Sequence, residues 1–80
     1  MTNQQIITKF VNGATTGKNS NRSLFIEGDT IYSYGYHFPL ARRNSDGTFW
    51  VNPDKYSVTT SKQQGMVRYA ITRNGSKFSV

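Results

Sequence analysis

Residues 24–52 read LFIEGDTIYSYGYHFPLARRNSDGTFWVN, and this stretch decides the fold. Leu24-Phe25-Ile26 is a run of strand formers closed by the turn residues Glu27-Gly28-Asp29. Thr30 to Tyr34 follows as a second strand, with Ile31, Tyr32 and Tyr34 as its strand formers. Gly35 marks a bulge or bend. Tyr36 to Arg43 continues as an extended run. Pro39 within it cannot donate to a ladder, so its place is an edge or a bulge. Asn44-Ser45-Asp46-Gly47 is a strong turn signal, Thr48 to Val51 is the returning strand, and Asn52-Pro53-Asp54 stops it. The pattern is that of an antiparallel meander.

Helices flank the meander. Thr2 and Gln5 have capping-box spacing, and Ile6, Ile7, Phe10 and Val11 fall on one helical face. Gly13 suits the position where a helix ends in a left-handed residue. Residues 59–73 form the second helix, with Thr60 and Gln63 again at capping-box spacing. Met66, Val67, Ala70 and Ile71 share its apolar face, Lys62, Arg68 and Tyr69 the opposite one. Asn74-Gly75 ends it. Between the first helix and the meander, residues 13–23 read GATTGKNSNRS, a polar linker.

The expected fold is therefore α+β. A three- to four-stranded antiparallel meander packs on a C-terminal helix, with a short N-terminal helix beside it. The expected organisation is a helix over 1–12, a flexible linker over 13–23 and one α+β domain over 24–80. In so small a chain the Phe, Tyr and Trp side chains are expected to fill most of the core. Homo-oligomerisation is a natural supplement to it.

Composition narrows the function. The chain has 80 residues, ten Lys and Arg against four Asp and Glu, a net charge of +6 and no cysteine. A disulfide scaffold and a thiolate metal site are excluded, and no apolar run approaches the length of a membrane span. Met1 to Val11 lacks the basic start and continuous apolar stretch of a secretion signal. The expected location is the cytoplasm. Charge is uneven along the chain. Residues 1–26 sum to +3, residues 27–54 to −2, and residues 55–80 to +5. The second helix and the tail are thus the electropositive pole. Arg42, Arg43, Lys62, Arg68 and Arg73 are the candidate phosphate contacts, with Tyr69 able to stack. A solvated helix face is the competing explanation of the same charges.

Other motifs dissolve on inspection. Gly13-Ala14-Thr15-Thr16-Gly17-Lys18 resembles a phosphate loop. It has three residues between its glycines where four are needed, and Asn19 where a Ser or Thr should follow the lysine. His37 is the sole histidine and lacks a convincing nucleophile or ligand set, so a structural role is expected and no metal or cofactor. Glu27 and Asp29 bracket a turn, where carboxylates are usually just solvated. An enzyme built on His37 with either acid ranks last, and the chain is read as non-catalytic. Tyr32, Tyr34, Tyr36 and Phe38 alternate along the strand and share one face if it is regular. That face is either core or a stacking platform for unpaired bases. The demand for core favours the first, while a bend at Gly35 would split the face.

Two stretches carry a family resemblance. They are Leu24-Phe25-Ile26-Glu27-Gly28-Asp29-Thr30-Ile31-Tyr32-Ser33-Tyr34-Gly35 with His37-Phe38-Pro39-Leu40-Ala41, and Tyr56-Ser57-Val58-Thr59-Thr60-Ser61-Lys62-Gln63-Gln64. This pattern resembles a family of short proteins from phages, plasmids and prophage-bearing bacteria, classed as a domain of unknown function. The resemblance covers most of residues 24–68 and implies a mobile-element origin, with no activity to carry over. The expected function is a small non-catalytic nucleic-acid-binding accessory protein whose partner is DNA or RNA. The rival is a phage-type inhibitor that binds a host protein or defence complex.

Overall fold

Thr2 and Gln5 close the capping box that their spacing predicts. The Gln5 amide donates to Thr2 Oγ1 at 3.2 Å, and the Thr2 amide donates to Gln5 Oε1 at 2.9 Å. Helix α1 (Asn3–Val11) follows. Its C-terminus closes as a Schellman turn around Gly13 (φ 100°). There the Ala14 amide reaches Lys9 O at 2.9 Å and the Gly13 amide reaches Phe10 O at 3.1 Å. The computed structural model describes residues 2–19, 23–33, 38–54 and 58–79. The expectations for Gly35, for Tyr34 and Tyr36 in the aromatic alternation, and for His37, with Tyr56 and Ser57 of the resemblance, lie outside the described residues.

The described strands are β1 (Thr16–Lys18), β2 (Leu24–Glu27), β3 (Thr30–Ser33), β4 (Phe38–Arg43), β5 (Phe49–Val51) and β6 (Phe78–Ser79). Helix α2 (Val58–Arg73) lies between β5 and β6. The strands form one sheet in chain order. β1 to β5 are antiparallel, and β6 adds parallel to β5. The α+β class and the meander stand, but three to four strands is too few. The extra strands come from two segments with no hydrophobic alternation to announce them. β1 arises inside the supposed linker, and β6 from the tail.

β1 is held by neighbours rather than by its own composition. Gly17 turns inward, where a Cβ would lie 3.4 Å from Ile26 Cδ1 and 3.6 Å from Ile6 Cδ1. The buried Asn19 side chain ends the strand by donating to Asn3 Oδ1 at 2.7 Å and Ser23 Oγ at 2.9 Å.

Both helices cover the same face of the sheet. The core comprises Ile6, Ile7, Phe10 and Val11 from α1, Val67 and Ile71 from α2, and the inward residues of β2 to β5. Among the described residues its aromatic members are Phe10, Phe38 and Phe49, the rest being aliphatic. Phe10 meets Phe49 edge to face at 5.8 Å. Among the described residues Leu24, Ile26, Ile31, Leu40, Val51, Val67 and Ile71 fill most of the interior, while Phe25, Tyr32 and Trp50 are half-buried and Tyr69 and Phe78 exposed.

A bulge sets the parity of β4. Ile31 pairs with Ala41 and Tyr32 with Pro39, so Leu40 is the extra residue, and Leu40 and Ala41 both point inward. Pro39 immediately precedes this bulge, on a central strand rather than an edge. Beyond it the alternation is inverted, so Arg42 faces away from the helices and Arg43 toward them.

Helix α2 begins at Val58, earlier than predicted, which places Thr60 inside its first turn and not at a cap. Gln63 does not reach back to a cap either. Its Oε1 accepts from Ser33 Oγ at 2.7 Å in the interior. Gln64 is also buried, and its Nε2 donates to Asn52 O at 2.8 Å and Asp54 O at 2.6 Å, tying the β5–α2 connection to the helix. The buried stripe is Gln63, Gln64, Val67 and Ile71, while Met66 and Ala70 are only partly buried at its border. The four apolar residues expected on this face all meet the core, and the stripe extends to Gln63 and Gln64 because amide side chains carry no hydrophobic signal.

Candidate functional site

The residues chosen from sequence do not form one site. Arg43 turns inward. Its Nη1 donates to Phe10 O at 2.8 Å and Ala14 O at 2.9 Å, and its Nη2 to Gly28 O at 2.8 Å. The guanidinium lies 4.9 Å from the Phe10 ring centroid. Three backbone carbonyls engage it, which ties it into the fold and sets it apart from the other candidate phosphate contacts. A cation is well placed there, because the carbonyl end of α1 carries partial negative charge.

Lys62, Tyr69 and Arg73 line up on the solvent side of α2. Tyr69 is 60% exposed, and Arg73 lies over its ring at 5.6 Å. Arg68 falls about 120° around the helix from Lys62. It is half-buried, with Nη2 4.0 Å from where a Cβ on Gly65 would stand. Tyr69 and Arg73 also border a groove of about 220 Å³ against Gln4 and Thr8 of α1 and Asn12, its C-cap.

Arg42 stands apart, on the face of the sheet opposite both helices. It pairs across strands with Trp50 and lies over its ring at 5.6 Å, within cation–π range. The same face carries Lys18, Phe25, Tyr32 and Pro39 in a row, each paired with the next across β1 to β4. Phe25 and Tyr32 stack at 5.2 Å with 21° between their planes. Glu27 is the acid on this face, at its β2–β3 end. Sequence reasoning passed over Phe25, Trp50 and Lys18, and preferred to place Tyr32 in the core. The signal was present, because Leu24-Phe25-Ile26 and Phe49-Trp50-Val51 each put one aromatic between two inward residues, and the middle residue must face out.

Asp29 Oδ1 accepts from Thr30 Oγ1 at 2.8 Å in the β2–β3 turn, and Asp46 Oδ1 accepts from Thr48 Oγ1 at 2.6 Å in the β4–β5 turn. The second bond, with the Thr48 amide, holds the Asp46 carboxyl below its ordinary range. Among the described residues no three His, Cys, Asp or Glu come together. No helix among them is long and apolar enough to cross a membrane. Comparisons with protein-family models, with curated proteins and with solved structures find no match to this chain.

Proposed function

We propose that the chain is a small non-catalytic nucleic-acid-binding accessory protein, of phage or mobile-element origin and acting in the host cytoplasm. One observation carries the binding role. The sheet face free of helices bears Phe25, Tyr32 and Trp50 with Arg42 and Lys18 beside them. Rings and cations side by side suit bases and phosphates, and a net charge of +6 draws a polyanion toward the molecule. The origin rests on the sequence resemblance over residues 24–68.

Titration of labelled single- and double-stranded oligonucleotides, followed by anisotropy at several salt concentrations, tests the role. Binding that weakens steeply as salt rises is expected. No binding to either form overturns it. Recovery of a host protein by pull-down after nuclease treatment would then favour the inhibitor reading.

A further inference from the structure

The helix layer carries a surface with a chemistry of its own. Among the described residues Tyr69 is the most exposed large hydrophobic side chain. Its ring holds the Arg73 guanidinium at 5.6 Å, and among the described residues Arg73 makes no hydrogen bond or ion pair. A ring engages only the face of a guanidinium, so the N–H edges of the Arg73 fork are left for a ligand. The two side chains border the groove of about 220 Å³ between α1 and α2, where Val11 and Ala70 are apolar and Asn12 and Asn74 offer amides. Neither helix contains an acid. Both helices end here, and helix C-termini repel anions. Their carbonyls are already engaged, however. Arg43 Nη1 holds Phe10 O at 2.8 Å, and the Gly75 and Ser76 amides hold Thr72 O and Ile71 O at 3.1 and 3.2 Å. The uncompensated charge bordering the groove is that of Arg73.

We propose that this groove is a docking site for a protein partner, which lays an acidic segment across α1 and α2 and sets an Asp or Glu carboxylate against Arg73, with an apolar neighbour beside Tyr69. Tyrosine and arginine are the side chains enriched among those that dominate binding energy at protein interfaces, above all next to a recess. The groove is too small for a drug-sized ligand and roomy enough for a side chain. A nucleic-acid strand fits it less well. Lys62 lies on the same side of α2 as Arg73 but about 16 Å along the axis, and Arg68 falls on another side. A strand brings a phosphate roughly every 3.4 Å in duplex form, so most of its charges between the two cations would go unmatched. Sparse cations match isolated carboxylates. The inference does not rest on the nucleic-acid reading, because the sheet face lies on the other side of the molecule.

Two capped peptides serve as probes, leucine alternating with glutamate in one and with glutamine in the other. The full-length, isotope-labelled protein is titrated with each, and with an oligothymidine single strand, and followed by NMR. The glutamate peptide is expected to shift the Arg73 side-chain N–H signals and the amides of Asn12, Tyr69 and Asn74 saturably. It should bind about tenfold more tightly than the glutamine peptide. Arg73→Gln should lose about tenfold of that affinity, and Arg73→Lys should recover only part of it, because an ammonium lacks the planar fork. Lys77→Gln removes the same charge outside the groove and should leave the affinity near wild type. Arg73 and Lys77 are both exposed, and circular dichroism establishes that each variant is folded. Absent or equal responses to the two peptides, shifts confined to the sheet face, or an equal loss in Lys77→Gln overturns the docking site and leaves the nucleic-acid reading standing. An oligothymidine that moves the Arg73 and Tyr69 signals more strongly than the glutamate peptide also overturns it, and gives the groove to nucleic acid.

Discussion

The Arg43 guanidinium lies 4.9 Å from the Phe10 ring centroid and donates to the Phe10 carbonyl at 2.8 Å, so one side chain holds another residue by both its ring and its backbone. The same group reaches Ala14 O and Gly28 O. It thereby joins the end of α1, the connection into β1 and the β2–β3 turn.

Arg43→Gln should therefore destabilise the protein, by about 2 kcal/mol, chiefly for the loss of charge-assisted bonds to the part-buried Phe10 and Ala14 carbonyls. The melting temperature should fall by roughly 10 °C in a chain of this size. Arg43→Lys should recover only part of the loss, because an ammonium cannot span carbonyls that the planar fork reaches together. Oligonucleotide affinity of the folded protein should not change. A wild-type melting curve for Arg43→Gln would contradict the structural role.

Gly65 offers a test of opposite sign. It lies within α2, and a Cβ there would meet only Arg68 Nη2, at 4.0 Å. Gly65→Ala removes backbone freedom from the unfolded chain and should add about 1 kcal/mol of stability. Thermal melting should rise by roughly 4–8 °C. A fall would mean that the helix does not accept a side chain at this turn.

Asp46 supplies a pH dependence. Its carboxyl is held below the ordinary aspartate range chiefly by the Thr48 hydroxyl and next by the Thr48 amide. A folded pKa below the unfolded one gives stability that is present above the unfolded pKa and is lost as pH falls through the folded one. Thr48→Val removes the hydroxyl and keeps the amide. Its Asp46 carboxyl, followed by NMR, should titrate at higher pH than in the wild type. The stability gap between the two proteins should narrow toward acid pH without closing, because Thr48→Val also removes the Oγ1 that accepts from Asn44 Nδ2 at 2.9 Å. An unchanged Asp46 titration would assign the shift to another cause.

What was legible in the sequence divides along physical lines. The Thr2–Gln5 cap, the stops at Gly13 and Gly75, and the turns at Gly28 and Asn44–Gly47 rest on local chemistry, and local chemistry can be read from neighbouring letters. β1 rests on Gly17 admitting Ile6 and Ile26, residues far from it in the chain, and its own TGK has no strand character. The bulge at Leu40 is a register event between two strands. It decides that Arg42 faces out and Arg43 in, although adjacent arginines look equivalent in the sequence. Gln63 is expected at a cap and nothing in the sequence places Gln64 inside, because their partners, Ser33, Asn52 and Asp54, are set by tertiary packing. The site was scattered for the same reason. A charge run along α2 is visible in the sequence, whereas a row assembled across β1 to β5 is visible only once the strands are ordered.

The last prediction separates the two electropositive surfaces. Lys62 and Arg68 belong to the helix layer, while Lys18 and Arg42 belong to the sheet face on the other side of a molecule whose shortest extent is 20 Å. The screening length is about 8 Å at physiological ionic strength, so a strand lying on one side gains little from cations on the other. If the strand lies on the sheet face, Lys18→Gln with Arg42→Gln should remove two phosphate contacts. The logarithmic salt slope should then flatten by about 1.4, at roughly 0.7 per contact for single strands. Lys62→Gln with Arg68→Gln should leave that slope near wild type, although it removes the same formal charge. Lys18, Arg42 and Lys62 are exposed, and substitutions of that kind shift stability by about 0.5 kcal/mol or less, whereas Arg68 is half-buried, so circular dichroism melts of both double variants are compared with wild type before the slopes are read. Net charge is matched between them, so any difference in slope reports position alone. A slope that flattens only on removal of Lys62 and Arg68 would move the strand to the helix layer, where Tyr69 with Arg73 over its ring would become the stacking group.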